Sequence, residues 1–269
     1  MSGFSAEWLA LRESYDLRAR NPIVLEAVAT LFKSHDAVSV VDLACGAGST
    51  VRALSSHLPA RQHWDLVDSD QRLLTLACSG KSIGDVRLNA VPLDLSGNFE
   101  AVLDSTKELI TISALLDLVS ETWLDRFARE IAARALPVYA ALTFDGRIDL
   151  SPADPLDAAI ASAVNAHQHT DKGFGPALGP SAAAAAISKF EALGYSVVQG
   201  TSDWVIETVD QEIQVELLTG WATAASEIEA LPRSNIDHWL VRRKIAVNER
   251  VSTMRVGHID FLATPSVTR

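Results

Sequence analysis

The run Val40-Val41-Asp42-Leu43-Ala44-Cys45-Gly46-Ala47-Gly48-Ser49-Thr50 constrains this chain more than any other. Its apolar half reads as a buried strand at 39–43. Its small-residue half reads as a sharp turn. Beyond it, Val51, Leu54 and Leu58 recur at helical spacing until Pro59 ends the segment. Gly46 and Gly48 have no Cβ, so the turn can take positive φ and let backbone approach a ligand closely.

The same unit recurs. Strands are expected at 63–67, 86–93, 108–113 and 137–144, with helical stripes Leu73-Leu74-Ala77 and Leu124-Phe127-Ile131-Ala135 between them. Ser5 and Asn21-Pro22 read as caps of two helices that precede the first strand. After Phe144 the pattern breaks into a proline- and glycine-rich stretch. Ser181 then reads as the cap of an alanine-rich helix that stops at Gly194. A strand at 195–199, helices over 207–247 and a last strand at 254–263 complete the chain.

Regular alternation predicts a doubly wound α/β fold. The expected sheet has seven strands, mostly parallel, with an antiparallel last strand and helices on both faces. The expected organisation is one domain over 1–269, with an N-terminal helical cover (1–37) and lid-like insertions at about 145–180 and 207–250.

Composition narrows the function classes. Hydrophobic residues make up 48%, enough for a large core. The formal net charge of -11 argues against non-specific nucleic-acid binding, which needs Lys and Arg to neutralise phosphates. It suits neutral or cationic substrates better than polyanions. Two cysteines imply no disulfide framework, and neither a signal-peptide pattern nor a membrane-length apolar run is present. A cytoplasmic protein is expected, with no nucleic-acid or membrane partner. The sequence leaves the oligomeric state open, a homodimer included.

Ligands of open α/β sheets sit at the carboxyl ends of the strands. Four features fall there: the Asp42-x-x-x-Gly46-x-Gly48 turn, Asp68, Asp94 and Ser113. In this strand order they resemble the motifs of class I S-adenosylmethionine-dependent methyltransferases. The resemblance covers about residues 38–145. It implies that Asp42, Gly46 and Gly48 line the methionine and ribose side of the cofactor, and that Asp68 holds the ribose hydroxyls. It implies further that Asp94 receives the adenine amino group with Leu95 against the ring, and that Ser113 lies near the methyl group. Ala44 and Ser69 complete the set, and Arg20 or Arg18 is expected to meet the cofactor carboxylate. Ala44 stands where the family often has its first glycine.

The expected activity is methyl transfer from S-adenosylmethionine to an O, N or S atom of a small molecule, with S-adenosylhomocysteine as product. Two alternatives are a protein that binds the cofactor without methylating, and an NAD(P)-dependent oxidoreductase. The dinucleotide fingerprint wants a third small residue where Val51 stands. No Asn/Asp-Pro-Pro-aromatic motif follows the fourth strand, as base-methylating enzymes have it. The candidate catalytic residues are His167, His169 and Asp171, in a loop resembling a lid, and Asp117, just past the fourth strand. A histidine can serve as base near neutral pH. The string His167-x-His169-x-Asp171 lacks a second ligand cluster, so no metal is expected. Asp145 and Arg147 are expected to border the same cleft, and His258 to be a satisfied structural histidine.

Overall fold

The computed structural model describes residues 4–79, 84–229 and 231–266. The expected ranges 1–37, 207–250 and 1–269 therefore include positions outside the described residues. Two caps open the fold. Helix α1 (Ala6–Ala19) starts at Ser5, whose hydroxyl accepts the Trp8 amide. Helix α2 (Pro22–Phe32) starts at Asn21, whose Oδ1 accepts the amides of Ile23 and Val24. Each such cap stabilises its helix by about 1 kcal/mol.

The alternating units follow: β1 (Ala37–Leu43), α3 (Ser49–Leu54), β2 (Arg61–Asp68), α4 (Gln71–Cys78), β3 (Asp85–Pro92), β4 (Leu109–Ser113), α5 (Glu121–Ala133) and β5 (Val138–Ser151). Then come α6 (Asp157–Gln168), α7 (Ala182–Ala192), β6 (Tyr195–Thr201), β7 (Trp204–Ile206), α8 (Gln211–Glu227), α9 (Arg233–Asn248) and β8 (Thr253–Pro265). The sheet order is β3-β2-β1-β4-β5-β8-β6. The first five strands are parallel, and β8 runs antiparallel between β5 and β6. The described residues add an eighth strand to the seven expected: β7, only three residues long, pairs with the first part of β8.

Helices cover both faces. On one, α5 and α7 pack Leu124, Phe127, Ile131, Ala186 and Phe190 against β1, β4 and β5. On the other, α2, α3 and α4 pack Val24, Val28, Leu54, Leu74 and Ala77 against the same strands. Fully buried rings such as Phe127 and Phe190 contribute about 2 kcal/mol each. Both faces of β1 are covered, and its last four residues are all buried, as expected of a central parallel strand.

The stretch after Phe144 is not a loop. β5 continues to Ser151 and stays paired with β8 through two register shifts. Its alternating polar and apolar residues send Ile148 and Leu150 against a second core built by α1, α6, α8, α9 and β7. The expected insertion at 145–180 is thus a strand extension, then α6, then a loop. Ser181 makes no capping hydrogen bond at α7; its hydroxyl donates to the Leu178 carbonyl instead.

Register brings the strand ends together. Leu43 lies opposite Val67 of β2 and Ile112 of β4, and Ser113 lies opposite Ala141 of β5. The chain after β1, β2 and β4 therefore emerges along one edge, at the point where the strand order reverses.

Candidate functional site

At that edge lies a cavity of about 900 Å³. Its floor is the turn after β1. Ala44 and Gly46 both take left-handed φ, +55° and +52°. The Cys45 amide donates to the Val67 carbonyl, and the Gly46 amide donates to Asp68 Oδ2 at 2.9 Å. Asp68 Oδ1 accepts the Asp70 amide at 2.9 Å. One carboxylate thus ties the β1 turn to the β2 end, and each of its oxygens keeps a lone pair for a ligand. Ala44, Gly46, Asp68, Ser69 and Ser113 all line the cavity.

Two expected residues of the turn stand behind the wall. Asp42 is fully buried, and Thr111 Oγ1 donates to its Oδ1 at 2.7 Å. Its Oδ2 has no hydrogen-bond partner, and burial pushes its pKa up to about 7. Gly48 faces α4. A Cβ there would lie 3.1 Å from the Ala77 Cβ, so its bareness serves helix packing.

Asp94, Leu95 and Arg20 also lie off the cavity. Asp94 is exposed and accepts the Ser96 amide; the Ser96 hydroxyl and then that amide lower its pKa. Leu95 is in the core, and its carbonyl accepts the Trp123 indole at 2.7 Å. That end of the cavity is closed by Asp70, Gln71, Arg72 and Leu73 instead. Arg20 is buried and donates to Tyr139 Oη at 3.1 Å and Ser113 Oγ at 3.4 Å. It thereby braces Ser113 from behind. Arg18 lies over the Tyr15 ring.

The opposite wall comes from α1. Leu9, Arg12, Glu13 and Asp16 line the cavity. Arg12 grips Asp16 through Nε at 2.9 Å and Nη2 at 3.2 Å, and stacks over Trp204 at 5.0 Å. Trp204 Nε1 donates to Asp16 Oδ1 at 3.1 Å. Arg52 pairs with Glu13, fastening α1 to α3 across the turn. A helical cover was expected over 1–37, but sequence reasoning did not single out these residues of it. Their signal was an Arg12–Asp16 pair spaced i, i+4 beside the apolar stripe Trp8-Leu11-Tyr15, where charges need a partner to be buried.

The expected catalytic residues separate. His167 lines the cavity, with Nε2 2.8 Å from Glu227 Oε2 and Nδ1 3.2 Å from Lys172 Nζ. His169 is exposed and faces the Ala177 carbonyl. Asp171 turns into its own loop and accepts the amides of Gly173 and Gly175. That loop is also fastened outward, by the Leu178 amide to the Val119 carbonyl and by Phe174 edge-on to Trp123. Asp117 is buried beneath Leu115 and Leu118, which line the cavity where it does not. Its Oδ1 has no partner, and burial pushes its pKa up to about 6.

Asp145 and Arg147 do not border the cavity. Arg147 bridges Asp145 and Asp203 on the extension of β5. His258 is buried between Trp204 and Phe144, and burial lowers its pKa to about 3. It is structural but not satisfied, since Nδ1 lacks a partner. Lys172 and Gln168 join the wall unforeseen.

No protein-family model and no curated protein sequence matches the chain. Among solved structures it is similar to a cyclopropane-fatty-acyl-phospholipid synthase-like protein from Lactobacillus casei. The TM-score is 0.51 and the identity 12%, over 97% of this chain and 94% of that one. It is also similar to an S-adenosylmethionine-dependent methyltransferase from Geobacter sulfurreducens, solved with S-adenosyl-L-homocysteine. There the TM-score is 0.46 and the identity 15%, over 98% of this chain and all of that one. The likeness to the Lactobacillus casei protein is one of fold, and it extends over nearly the whole chain: a Rossmann-like α/β sheet with an antiparallel strand set among parallel ones.

Proposed function

We propose that the chain is an S-adenosylmethionine-dependent methyltransferase of the class I type, acting on a small molecule. The observation that carries this is the Gly46–Asp68 tie at the strand-order reversal, which presents a carboxylate and a bare backbone turn to one cavity. Asp68 and Ser69 suit the ribose hydroxyls, and the turn from Ala44 to Ala47 suits the methionine portion. The cofactor supplies an electrophilic methyl group when bound. Arg12, whose contacts with Asp16 use Nε and Nη2, is a cavity cation available to its carboxylate in place of Arg20.

A cavity of this size falls within the range of small-ligand sites. The α1 wall encloses it, which favours a small acceptor over a nucleic acid or a protein surface. Val51 is buried where a dinucleotide site wants its third small residue, which weighs against NAD. No helix among the described residues is long and apolar enough to cross a membrane. The test is calorimetric titration with S-adenosylmethionine, S-adenosylhomocysteine and NAD. Binding of both sulfur compounds and not of NAD is expected; NAD binding alone would overturn the reading.

A further inference from the structure

The charged groups along the cavity are mostly paired: Arg12 with Asp16, Arg52 with Glu13, Arg72 with Asp70. Lys172 differs. Among the described residues no carboxylate lies within ion-pair distance of its Nζ, which instead contacts His167 Nδ1 at 3.2 Å and Thr170 Oγ1 at 2.9 Å. His167 in turn contacts Glu227 Oε2 through Nε2 at 2.8 Å. The Glu227 side chain is 60% exposed, the His167 side chain 23%. The three side chains therefore run from the cavity wall, through a half-buried imidazole, to open solvent.

We infer that Lys172, His167 and Glu227 form a proton exit line, and that the acceptor is a hydroxyl or amine that must lose a proton on methylation. This rests on the methyl-transfer reading above. The contacts fix the direction. An ammonium can only donate to Nδ1, so the imidazole carries its proton on Nε2 and donates it to Glu227. When the Lys172 proton moves onto Nδ1, the imidazolium is held by the Glu227 carboxylate and Lys172 becomes a free amine. The acceptor's lone pair then forms the new bond to carbon. The electron pair of the broken carbon–sulfur bond stays on sulfur, and the acceptor proton passes to Lys172 Nζ. One proton leaves through Glu227 for each methyl group moved, and exchange of the partly exposed imidazole with solvent returns its remaining proton from Nδ1 to Nε2.

Electrostatics agrees. Burial lowers the Lys172 pKa, against the opposing pull of Glu227 on α8 and of Asp117 beneath the cavity floor. A lysine held between these influences yields a proton more readily than a solvated one. Thr170 Oγ1 fixes the amine while its own proton goes to the His167 carbonyl.

The test is nuclear magnetic resonance on the full chain labelled at lysine Cε and histidine nitrogen, titrated from about pH 6 to pH 11. Lys172 is expected to titrate below the other lysines, with His167 protonated at Nε2. Glu227→Gln is expected to push the Lys172 midpoint further down, because it removes a negative charge. A Lys172 that titrates like its exposed counterparts and ignores Glu227→Gln would overturn the line, as would a His167 proton on Nδ1. Calorimetry with S-adenosylhomocysteine on the same samples separates the two claims. Absence of binding with an intact coupled titration defeats the methyl-transfer reading, and with it the methyl acceptor, but leaves the coupling of the three side chains. Retained binding with an uncoupled Lys172 defeats the exit line alone.

Discussion

The Gly46 amide and the Asp68 carboxylate meet at 2.9 Å, and that contact sets the floor of the cavity. It joins residues 22 positions apart, one from the turn after β1 and one from the end of β2. The carboxylate does two jobs: it satisfies backbone amides that would otherwise be orphaned, and it faces the cavity.

Asp68→Ala removes both. The affinity for S-adenosylhomocysteine should fall at least about tenfold, roughly 1.4 kcal/mol. Asp68→Asn keeps an acceptor for the Gly46 amide and should lose less. Isothermal titration of the three proteins checks the order; equal affinities would show that Asp68 is not at the ribose.

Ala44 carries φ +55° in a position that glycine adopts freely. A left-handed alanine costs about 1 kcal/mol. Ala44→Gly should therefore leave stability unchanged or raise it, since the relief of strain is offset by glycine's extra freedom when unfolded. Ala44→Val should lower stability by about 2 kcal/mol, because a β-branched residue is poorly tolerated there. Urea denaturation measures both.

Asp117 predicts a pH dependence. Burial raises its pKa to about 6 from an ordinary 3.8, so the folded state holds the proton more tightly than the unfolded one. Its stabilising influence is complete below about pH 4 and is lost as pH rises through about 6. Asp117→Asn should raise the unfolding free energy at pH 8 by roughly 2 kcal/mol, with little effect near pH 4. Chemical denaturation at the two pH values decides it, and an equal effect at both would contradict the burial account. His258 has the opposite sign: its pKa is lowered to about 3, so stability is lost as pH falls from about 6.5 toward 3.

Asp171 is a loop staple in this structure, not a cavity residue. Asp171→Ala frees the amides of Gly173 and Gly175. Their hydrogen exchange should quicken about fivefold, equivalent to the roughly 1 kcal/mol of a lost hydrogen bond. The affinity for S-adenosylhomocysteine should stay the same.

Apart from β7 and α6, the strands, the helices and the turn at 44–48 were legible in the sequence because their signals are local. Apolar runs, helical spacing and the caps Ser5 and Asn21 each depend on a few adjacent residues. The strand at 145–151 was not legible. Gly146 and Pro152 frame a stretch whose strand character comes from pairing with β8, about a hundred residues away.

By itself the sequence determined the parallel α/β frame and the carboxyl-end placement of Asp68, Ser69 and Ser113, since strand order and turn chemistry follow from pattern. Only the tertiary structure decided which charged residues reach the cavity. Arg20 and Asp42 lie close in sequence to cavity residues yet are enclosed behind them, whereas Arg12, Asp16 and Lys172 arrive from distant segments. A charge pattern does not say whether a side chain ends in solvent, in a pair or in a cavity. That depends on which partners the fold brings near enough to offset desolvation.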